Sequence, residues 1–313
     1  MILVVHPNPS LDKTAVVPNF ALGRVARVPD MRWLAGGKAF NFARALRTLG
    51  GVPLVVAPLA GHIGALLRDL ANSEGIACDP IWLGLGETRT CLTVVDPSNG
   101  RDTEVYEGGP VARPDDWARL LAVTGRHLAS AHALVVCGSF LPGIPVSGLH
   151  DLLEQARAAG VPAYIDTYGH HLTQALTARP AFVKVNEHEA AGLIEGPVGD
   201  LSTVAAAARE IQARGARAVV ITMGARGAAG VDADGRRFAW AAPVVQGLSA
   251  VGSGDSFFAG VVAGLTRGDT LREAVRLGSA AGAANTLQIG AGVFMRGQVD
   301  TLLGRVDEMS VEG

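Results

Sequence analysis

The stretch AVGSGDSFFAG, residues 250–260, places a lone carboxylate, Asp255, where a helix should begin. Three glycines share the stretch and an apolar run follows, which predicts a turn entering a buried helix. Glycines let a backbone approach a ligand closely, and free N–H groups at a helix N-terminus bind phosphate oxygens. A carboxylate among such groups suits a general base that takes a proton from a hydroxyl. Helix capping by Asp255 or Ser253 is the alternative.

The composition predicts a compact globular protein. The chain has 313 residues, enough for one large domain or two, with 49% hydrophobic and 18% charged residues. Its formal net charge of −2 gives no bulk basicity that would favour nucleic acid or an acidic membrane surface. Three widely spaced cysteines, Cys78, Cys91 and Cys137, indicate reduced thiols. Because we find no secretory signal pattern and no apolar run of ~18 residues, we expect a cytoplasmic protein without a membrane span.

Short β-branched runs alternate with longer helical patterns along most of the chain. Strands are predicted at 2–5, 53–60, 132–138, 161–166, 182–186 and 216–224, and helices at 39–50, 63–75, 145–160 and 204–215. Nearly continuous apolar strands are typical of a parallel sheet that is buried on both faces. The predicted fold is therefore a three-layer α/β/α sandwich with a mostly parallel central sheet.

Two stretches, 12–37 and 88–109, break this alternation and have the turn signals of β-hairpins. We expect them to project from the main sheet as a small β-layer, and a projecting layer beside a reaction centre is a candidate lid. Edge hairpins that merely cap the main sheet are the alternative. The predicted main domain comprises residues 1–11, 38–87 and 110–306, and the two hairpins form a lid inserted in it.

A second glycine-rich helix start occurs in AGGKAFNFARALRTLG, residues 35–50. Its first turn carries Lys38 and Asn41, and a cation with an amide suits a polyol or a phosphate. Taken alone, the stretch is explained better as a glycine hinge with solvated polar residues. The chain has three lysines among 27 basic residues, and Lys13, Lys38 and Lys184 all lie in motifs, which favours a requirement for a compact ammonium.

Two further motifs follow predicted strands. In KVNEHEAAG, residues 184–192, Asn186 and Glu189 are three residues apart, and this pair suits a magnesium–phosphate site contacted through water. A capping box with Asn186 as the N-cap explains the pair equally well. In TMGARGAAGVD, residues 222–232, a strand runs into a tight glycine turn that could pass under a nucleotide.

Together and in this order, the motifs resemble the ribokinase-like carbohydrate kinases of the phosphofructokinase-B type, and within them the hexose-phosphate branch. The matching segments are 8–14, 35–50, 138–145, 165–169, 183–189, 222–227 and 248–260. The resemblance implies a ribokinase-like fold with a β-sheet lid, and ATP-dependent phosphoryl transfer to a phosphorylated ketohexose with Mg²⁺. A kinase of an unphosphorylated sugar or nucleoside, and an inactive sugar or nucleotide sensor, are the alternatives.

The resemblance also implies site residues. Asp255 is the catalytic base, for which we expect an ordinary carboxyl pKa of about 4, and the anion hole is formed by the backbone of Gly252, Ser253 and Gly254. The sugar and its phosphate are bound by Asp12, Gly36, Gly37, Lys38, Asn41, Arg89, Arg24 and Ser139. ATP is bound by Lys184, Asn186, Thr222, Gly224, Gly227 and Asn285, while Asn186 and Glu189 organise magnesium through water.

Two expectations concern partners and specificity. The exposed β-layer suggests a homodimer that pairs through the lid. Glu104 stands where some members of the family place an arginine against the sugar phosphate, which weakens fructose 6-phosphate as the substrate. Fructose 1-phosphate, tagatose 6-phosphate and fructose 6-phosphate all remain open.

Overall fold

The computed structural model describes residues 1–28 and 31–310. Its elements, in chain order, are β1 (Ile2–Val5), β2 (Ser10–Val16), β3 (Met31–Gly36), α1 (Lys38–Thr48), β4 (Pro53–Leu59), α2 (Gly61–Ser73), β5 (Ala77–Trp82), β6 (Arg89–Asp96), β7 (Arg101–Tyr106), α3 (Pro114–Leu128), β8 (Ala133–Cys137), α4 (Gly148–Ala158), β9 (Ala163–Asp166), α5 (Gly169–Ala175), β10 (Phe182–Asn186), α6 (Glu187–Ile194), α7 (Leu201–Ala213), β11 (Val219–Thr222), β12 (Ala228–Val231), β13 (Arg237–Trp240), α8 (Ser253–Arg267), α9 (Leu271–Thr286) and α10 (Arg296–Leu303). None of the helices within these ranges has both the length and the apolar character that crossing a bilayer requires.

The main sheet is mostly parallel. Over the described ranges it contains nine strands in the order β13-β12-β11-β10-β9-β8-β1-β4-β5. Strand β1 lies at its centre and pairs in parallel with β4 and β8, with Ile2 opposite Pro53 on one side and Ala133 on the other. Strands β12 and β13 form an antiparallel edge. The carboxyl ends of the parallel strands therefore meet along one edge of the sheet.

Helices cover both faces of this sheet, and β1 shows why its strands are apolar throughout. Ile2 and Val4 pack into the core formed with α1, α2, α8, α9 and α10. Leu3 and Val5 pack into the core on the opposite face, formed with α3 to α7. Because all four side chains are buried, a polar side chain at any position of the strand would lie in a core, and the strand is therefore apolar throughout. The predicted three-layer sandwich is confirmed.

A second, smaller sheet stands apart from the first. In the described part of the chain it has the strand order β3-β2-β6-β7. Strand β2 pairs antiparallel with β3 and parallel with β6, and β6 forms an antiparallel hairpin with β7. The expected separate β-layer is confirmed, and its role as a lid stays a prediction. Residues 29 and 30 of the first predicted hairpin lie outside the described residues.

Candidate active site

The carboxyl edge of the main sheet brings the separate motifs together. Strand β9 ends at Asp166 and β10 ends at Asn186, two residues after Lys184. Helices α1 and α8 begin at the same edge, so the polar residues of their first turns face these strand ends. In open α/β sheets this edge is where ligands bind, because loops and helix N-termini converge there.

Asp255 lies in the first turn of α8 and is 7% exposed. The N-cap is Gly252, whose φ of 81° is left-handed, and a Cβ on it would come within 2.5 Å of Ala291. No side chain within the described ranges caps α8, so the capping alternative for Asp255 and Ser253 is wrong. The Ser253 amide donates to Ala250 O (3.1 Å), which engages one amide of the predicted anion hole within the turn itself.

Asn41 on α1 holds the Asp255 carboxylate. Its Nδ2 donates to Asp255 Oδ2 over 2.9 Å, and Asn41 is only 6% exposed. Helix α1 begins after Gly37, whose φ of 83° and close approach to the His6 ring both require glycine. The interpretation of this stretch as a hinge with solvated polar residues is therefore wrong. The hydrogen bond engages Oδ2, one of the two carboxylate oxygens.

Two lysines and two carboxylates form a mostly buried charge cluster beside this pair, in which the Lys38 side chain is 27% exposed. Lys38 Nζ donates to Asp166 Oδ1 (2.8 Å) and to Glu189 Oε1 (3.0 Å), and Lys184 Nζ donates to Asp166 Oδ2 (3.0 Å). Burial opposes the charge on Lys38, but Asp166 and Glu189 outweigh it and raise its pKa. Burial also opposes the charge on Asp166, but Lys184 and Lys38 together lower its pKa. Lys38 and Asp166 are thus each kept charged by their partners.

Asp255 itself is far from an ordinary carboxylate. Burial raises its pKa from 3.8 to about 7, and repulsion from Asp166 acts in the same direction. Lys38, the Asn41 hydrogen bond and Lys184 favour the ionised form but do not offset the burial. The expected pKa of about 4 is therefore wrong, because the sequence does not report how completely this side chain is removed from water.

The small sheet supplies a second acid to the site. Asp12 on β2 accepts from the Gly37 amide (3.2 Å) and from Ser10 Oγ (2.6 Å). A Cβ on Gly36 would lie 1.9 Å from the Asp12 carboxyl carbon, so only glycine permits this approach. Burial raises the pKa of Asp12. The two glycines and the acid predicted to bind sugar hydroxyls are therefore in contact.

Arg89 and Ser139 meet through a residue that the sequence analysis did not select, Asn8. The Arg89 side chain donates to Asn8 O (3.0 Å) and to Glu107 O (3.3 Å), while Asn8 Nδ2 donates to Ser139 Oγ (3.2 Å). Arg89 Nε is buried without a hydrogen-bond partner among the described residues. Arg24, in contrast, is exposed in the loop after β2 and takes part in none of these contacts.

A cavity of about 490 Å³ adjoins the start of α8. Its walls include Thr222, Gly224 and Gly227 from the glycine turn, and Ser253 and Gly254 from α8. Three of the six residues predicted to bind ATP and two of the three predicted to form the anion hole thus share one cavity. A Cβ on Gly254 would lie 3.1 Å from Lys184 Nζ, so this ammonium lies beside the same wall.

Asn285, also predicted to bind the nucleotide, is fully buried and does not line that cavity. Its Nδ2 donates to Val251 O (2.8 Å), and its Oδ1 accepts from the Gly292 amide (2.7 Å) and from Ser256 Oγ (3.0 Å). These contacts hold the turn before α8 against the loop that follows α9. Its position in the structure is that of a support for the glycine turn.

Asn186 and Glu189 form the capping box considered from the sequence. The Glu189 amide donates to Asn186 Oδ1, and the Asn186 amide donates to Glu189 Oε2, both over 2.9 Å. Over the described ranges no group of three or more potential ligand side chains converges as a direct metal site. The remaining lone pairs of the two side chains can accept hydrogen bonds from metal-bound water, so the residues fit contact through water.

The sequence analysis missed Asp166 and His6 as parts of the site. Asp166 has a recognisable signal, because an acid at the carboxyl end of a buried parallel strand points to the ligand edge. His6 follows β1 in the same way and hydrogen-bonds Gly36 O through Nε2 (3.0 Å). Burial lowers the His6 pKa to about 3, so this ring is neutral and supports the glycine pair.

Comparison with known proteins identifies the family of the chain. Residues 8–296 match the family model described as pfkB family carbohydrate kinase. The chain belongs to the pfkB family of carbohydrate kinases. Among pfkB relatives, the 1-phosphofructokinase of Rhodobacter capsulatus is 34% identical, with 89% of this chain and 88% of that protein covered. The ATP-dependent 6-phosphofructokinase isozyme 2 of Escherichia coli is 31% identical over 90% and 91%.

Solved structures extend the similarity to the whole pfkB fold. Phosphofructokinase-2 from Escherichia coli, in complex with potassium, superposes with a TM-score of 0.88 at 28% identity, covering 97% of this chain and 98% of that chain. Ribokinase from Arabidopsis thaliana superposes with a TM-score of 0.76 at 21% identity, covering 96% and 98%. The second likeness bears on the fold alone.

The burial of Asp255 makes a prediction about stability. In the unfolded chain this group titrates near pH 4, whereas in the fold its pKa is about 7. The folded state therefore holds the proton more tightly than the unfolded chain does. The contribution of Asp255 to the free energy of unfolding is fully present below about pH 4 and is lost as pH rises through about 7. We expect Asp255→Asn to be more stable than the parent at about pH 8, with the difference shrinking towards about pH 4.

Urea unfolding of both proteins across this pH range measures the difference. Asp307→Asn, which changes an exposed carboxylate, is the matched control and should leave the pH dependence of unfolding unchanged. If the free energies of unfolding of the parent and Asp255→Asn changed equally with pH, the raised pKa of Asp255 would be contradicted.

Proposed function

We propose that this chain is an ATP-dependent kinase that phosphorylates a hydroxyl of a phosphorylated ketohexose, with Asp255 as the general base. The observation that carries the proposal is the position of Asp255. It accepts a hydrogen bond from Asn41 of α1, the helix that begins after the Gly37 amide bonded to Asp12, and it directly follows Gly254, which lines the cavity. Relatives named 1-phosphofructokinase and 6-phosphofructokinase support this substrate class.

In the proposed reaction Asp255 takes the proton of the acceptor hydroxyl as that oxygen attacks the γ-phosphorus of ATP. A base with a pKa of about 7 suits this task at neutral pH better than an ordinary carboxylate does. Amides in the first turn of α8 stabilise the transferred phosphoryl group, and Lys184 beside Gly254 neutralises part of its charge. Phosphoryl transfer needs such positioning and charge stabilisation more than covalent participation.

Magnesium belongs to the proposal as a companion of ATP. When bound, it would neutralise charge on the phosphates. Asn186 and Glu189 would contact its water shell with the lone pairs that their mutual capping bonds leave free. Glu189 also accepts a hydrogen bond from Lys38. A Glu189 side chain that contacts the water shell of magnesium would therefore connect the metal to the charge cluster of Lys38, Asp166 and Lys184.

The phosphate already on the sugar is assigned to Arg89 and Ser139. The Arg89 guanidinium has a buried Nε without a hydrogen-bond partner among the described residues, and Asn8 positions the Ser139 hydroxyl. Both groups can donate to a phosphate, and neither is in contact with a carboxylate in the described part of the chain. Arg24 is a less favoured contributor because it is exposed and outside this cluster. A kinase of unphosphorylated sugars or nucleosides would not need the Arg89 group.

The role of Asp255 is tested by Asp255→Asn, which keeps the side-chain shape but removes the base. We expect kcat to fall by at least ~10²-fold, the scale of general-base catalysis, with the fold retained by circular dichroism. The assay is ADP formation with saturating sugar phosphate, ATP and magnesium, with Asp307→Asn as the control. Full turnover by Asp255→Asn would refute the base, and absence of turnover in the parent would favour the sensor alternative.

The substrate class is tested with a panel of fructose 1-phosphate, fructose 6-phosphate, tagatose 6-phosphate, fructose and ribose. We expect a phosphorylated ketohexose to be preferred. Arg89→Ala should raise KM for that substrate by roughly 10- to 100-fold with a smaller change in kcat, because a charge-assisted bond to phosphate is lost. Arg209→Ala, at an exposed position of α7, is the control. Preference for fructose or ribose, with no effect of Arg89→Ala, would overturn the assignment.

We also propose that two copies of the chain pair through the small sheet, which then serves as the lid. Large apolar side chains are exposed on it, including Val16, Trp33, Val105 and Tyr106. We expect light scattering to give twice the chain mass for the parent and a monomer for Val105→Glu. Val52→Glu, exposed outside the small sheet, is the control. A monomeric parent would contradict this pairing.

The cytoplasmic location of the protein remains a prediction.

A further inference from the structure

We propose that Arg44 is a positioning residue for the reaction, because it fixes the Asn41 amide so that its N–H₂ group, and not its oxygen, faces Asp255. The inference rests on the proposed role of Asp255 as the base. Arg44 does not line the cavity beside Gly254, and it acts through Asn41, its neighbour on the same helix.

The hydrogen bonds of Asn41 define this orientation. Arg44 Nη1 donates to Asn41 Oδ1 (3.2 Å), and Asn41 Nδ2 donates to Asp255 Oδ2 (2.9 Å). An amide has one acceptor atom and one donor group at its end, so a donor on the Oδ1 side forces the N–H₂ group to the opposite side. Arg44 is three residues after Asn41 on α1, which places the two side chains on one helix face.

Arg44 is itself held rigidly by three other acceptors. Its Nε donates to Glu74 Oε2 (2.6 Å), Nη2 donates to Ala35 O (2.6 Å), and Nη1 also donates to Ala291 O (2.7 Å). Glu74 completes the arrangement by accepting from the Ala35 amide through Oε1 (3.2 Å). The planar guanidinium donates to all of these acceptors at once, and the single ammonium group of a lysine could not reach them all.

Reversal of the Asn41 amide would place Oδ1 against the Asp255 carboxylate. Two acceptors would then face each other, and protonation of Asp255 would be the way to restore a hydrogen bond. The Asp255 pKa would rise further above its value of about 7. Loss of Arg44 would therefore reduce the fraction of enzyme that carries an ionised base at neutral pH.

Other charged groups also face Asp255. These are Asp166 at the end of β9, Lys38 on α1 and Lys184 on β10, with the buried Cys137 thiol of β8 near them. Arg44 also lowers the pKa of Asp12, although burial and two hydrogen bonds have larger effects on that group. A lysine at position 44 keeps the positive charge, so Arg44→Lys separates the loss of hydrogen-bond geometry from the loss of charge.

The test is the pH dependence of kcat/KM for the best substrate of the sugar panel, between about pH 5 and 9. The acidic limb reports the base of the free enzyme. For Arg44→Lys we expect this limb to move up by about half a unit to one unit, with a roughly two- to five-fold loss near pH 7 that is recovered at about pH 9. Arg47→Lys is the control, because Arg47 bonds the Glu74 carbonyl on the exposed side of α1 and not Asn41.

A double-mutant cycle shows whether Arg44 acts through Asn41. In an Asn41→Ala background the amide is gone, so Arg44→Lys should produce no further shift of the acidic limb. A pH profile of Arg44→Lys that superposes on the parent, with only a loss of thermal stability, would overturn the proposal. An equal shift with and without Asn41 would overturn it as well.

Glu74→Gln provides a second variant if Arg44→Lys does not fold. It removes the charged partner that orients Arg44, and we expect a smaller shift of the limb in the same direction. An unchanged profile in Glu74→Gln would count against the proposal. Full turnover in Asp255→Asn would instead refute the base itself, so failure of the positioning role and failure of the proposed function are separable.

Discussion

The site depends on one constraint: a carboxylate must be removed from water and still be able to ionise. Asp255 is almost completely buried at the start of α8, and burial alone would keep it protonated at neutral pH. Two ammonium groups and one amide counteract this burial, while Asp166 acts against them. The pKa of about 7 is the balance of these opposing effects, and it suits transfer of a proton at neutral pH.

The balance requires parts of the chain that are distant in sequence. Lys38 comes from the start of α1, Asp166 and Lys184 come from two neighbouring strands, and Asp255 comes from α8. Asp166 accepts from both lysines, so it fixes their ammonium groups relative to each other. Because Asp166, Lys184 and Asp255 are buried, loss of one of these charges would leave its partners without compensation. The α/β sandwich supplies the required precision by setting all of them on strand ends and first helical turns.

Many residues of this site were predictable because glycines and charged residues lie at the ends of apolar strands and helices. The turns at Gly37 and Gly252 are readable in sequence, and the structure shows the left-handed backbone that explains them. Asn8 and Arg44 were not predictable, since their roles arise from contacts with Ser139 and Asn41 and not from a local pattern. Strand β5 was also missed, because an aspartate and a proline interrupt its apolar pattern.

The sequence by itself determined the alternation of strands and helices, the parallel main sheet and the positions of the glycine turns. These follow from local periodicity and from the steric freedom of glycine, which neighbouring residues are sufficient to express. Only the tertiary structure decided the ionisation of Asp255, the pairing of Lys38 and Lys184 with Asp166, and the burial of Asn285. The reason is that desolvation and Coulomb interactions depend on distances between segments, and the linear order of residues does not contain those distances.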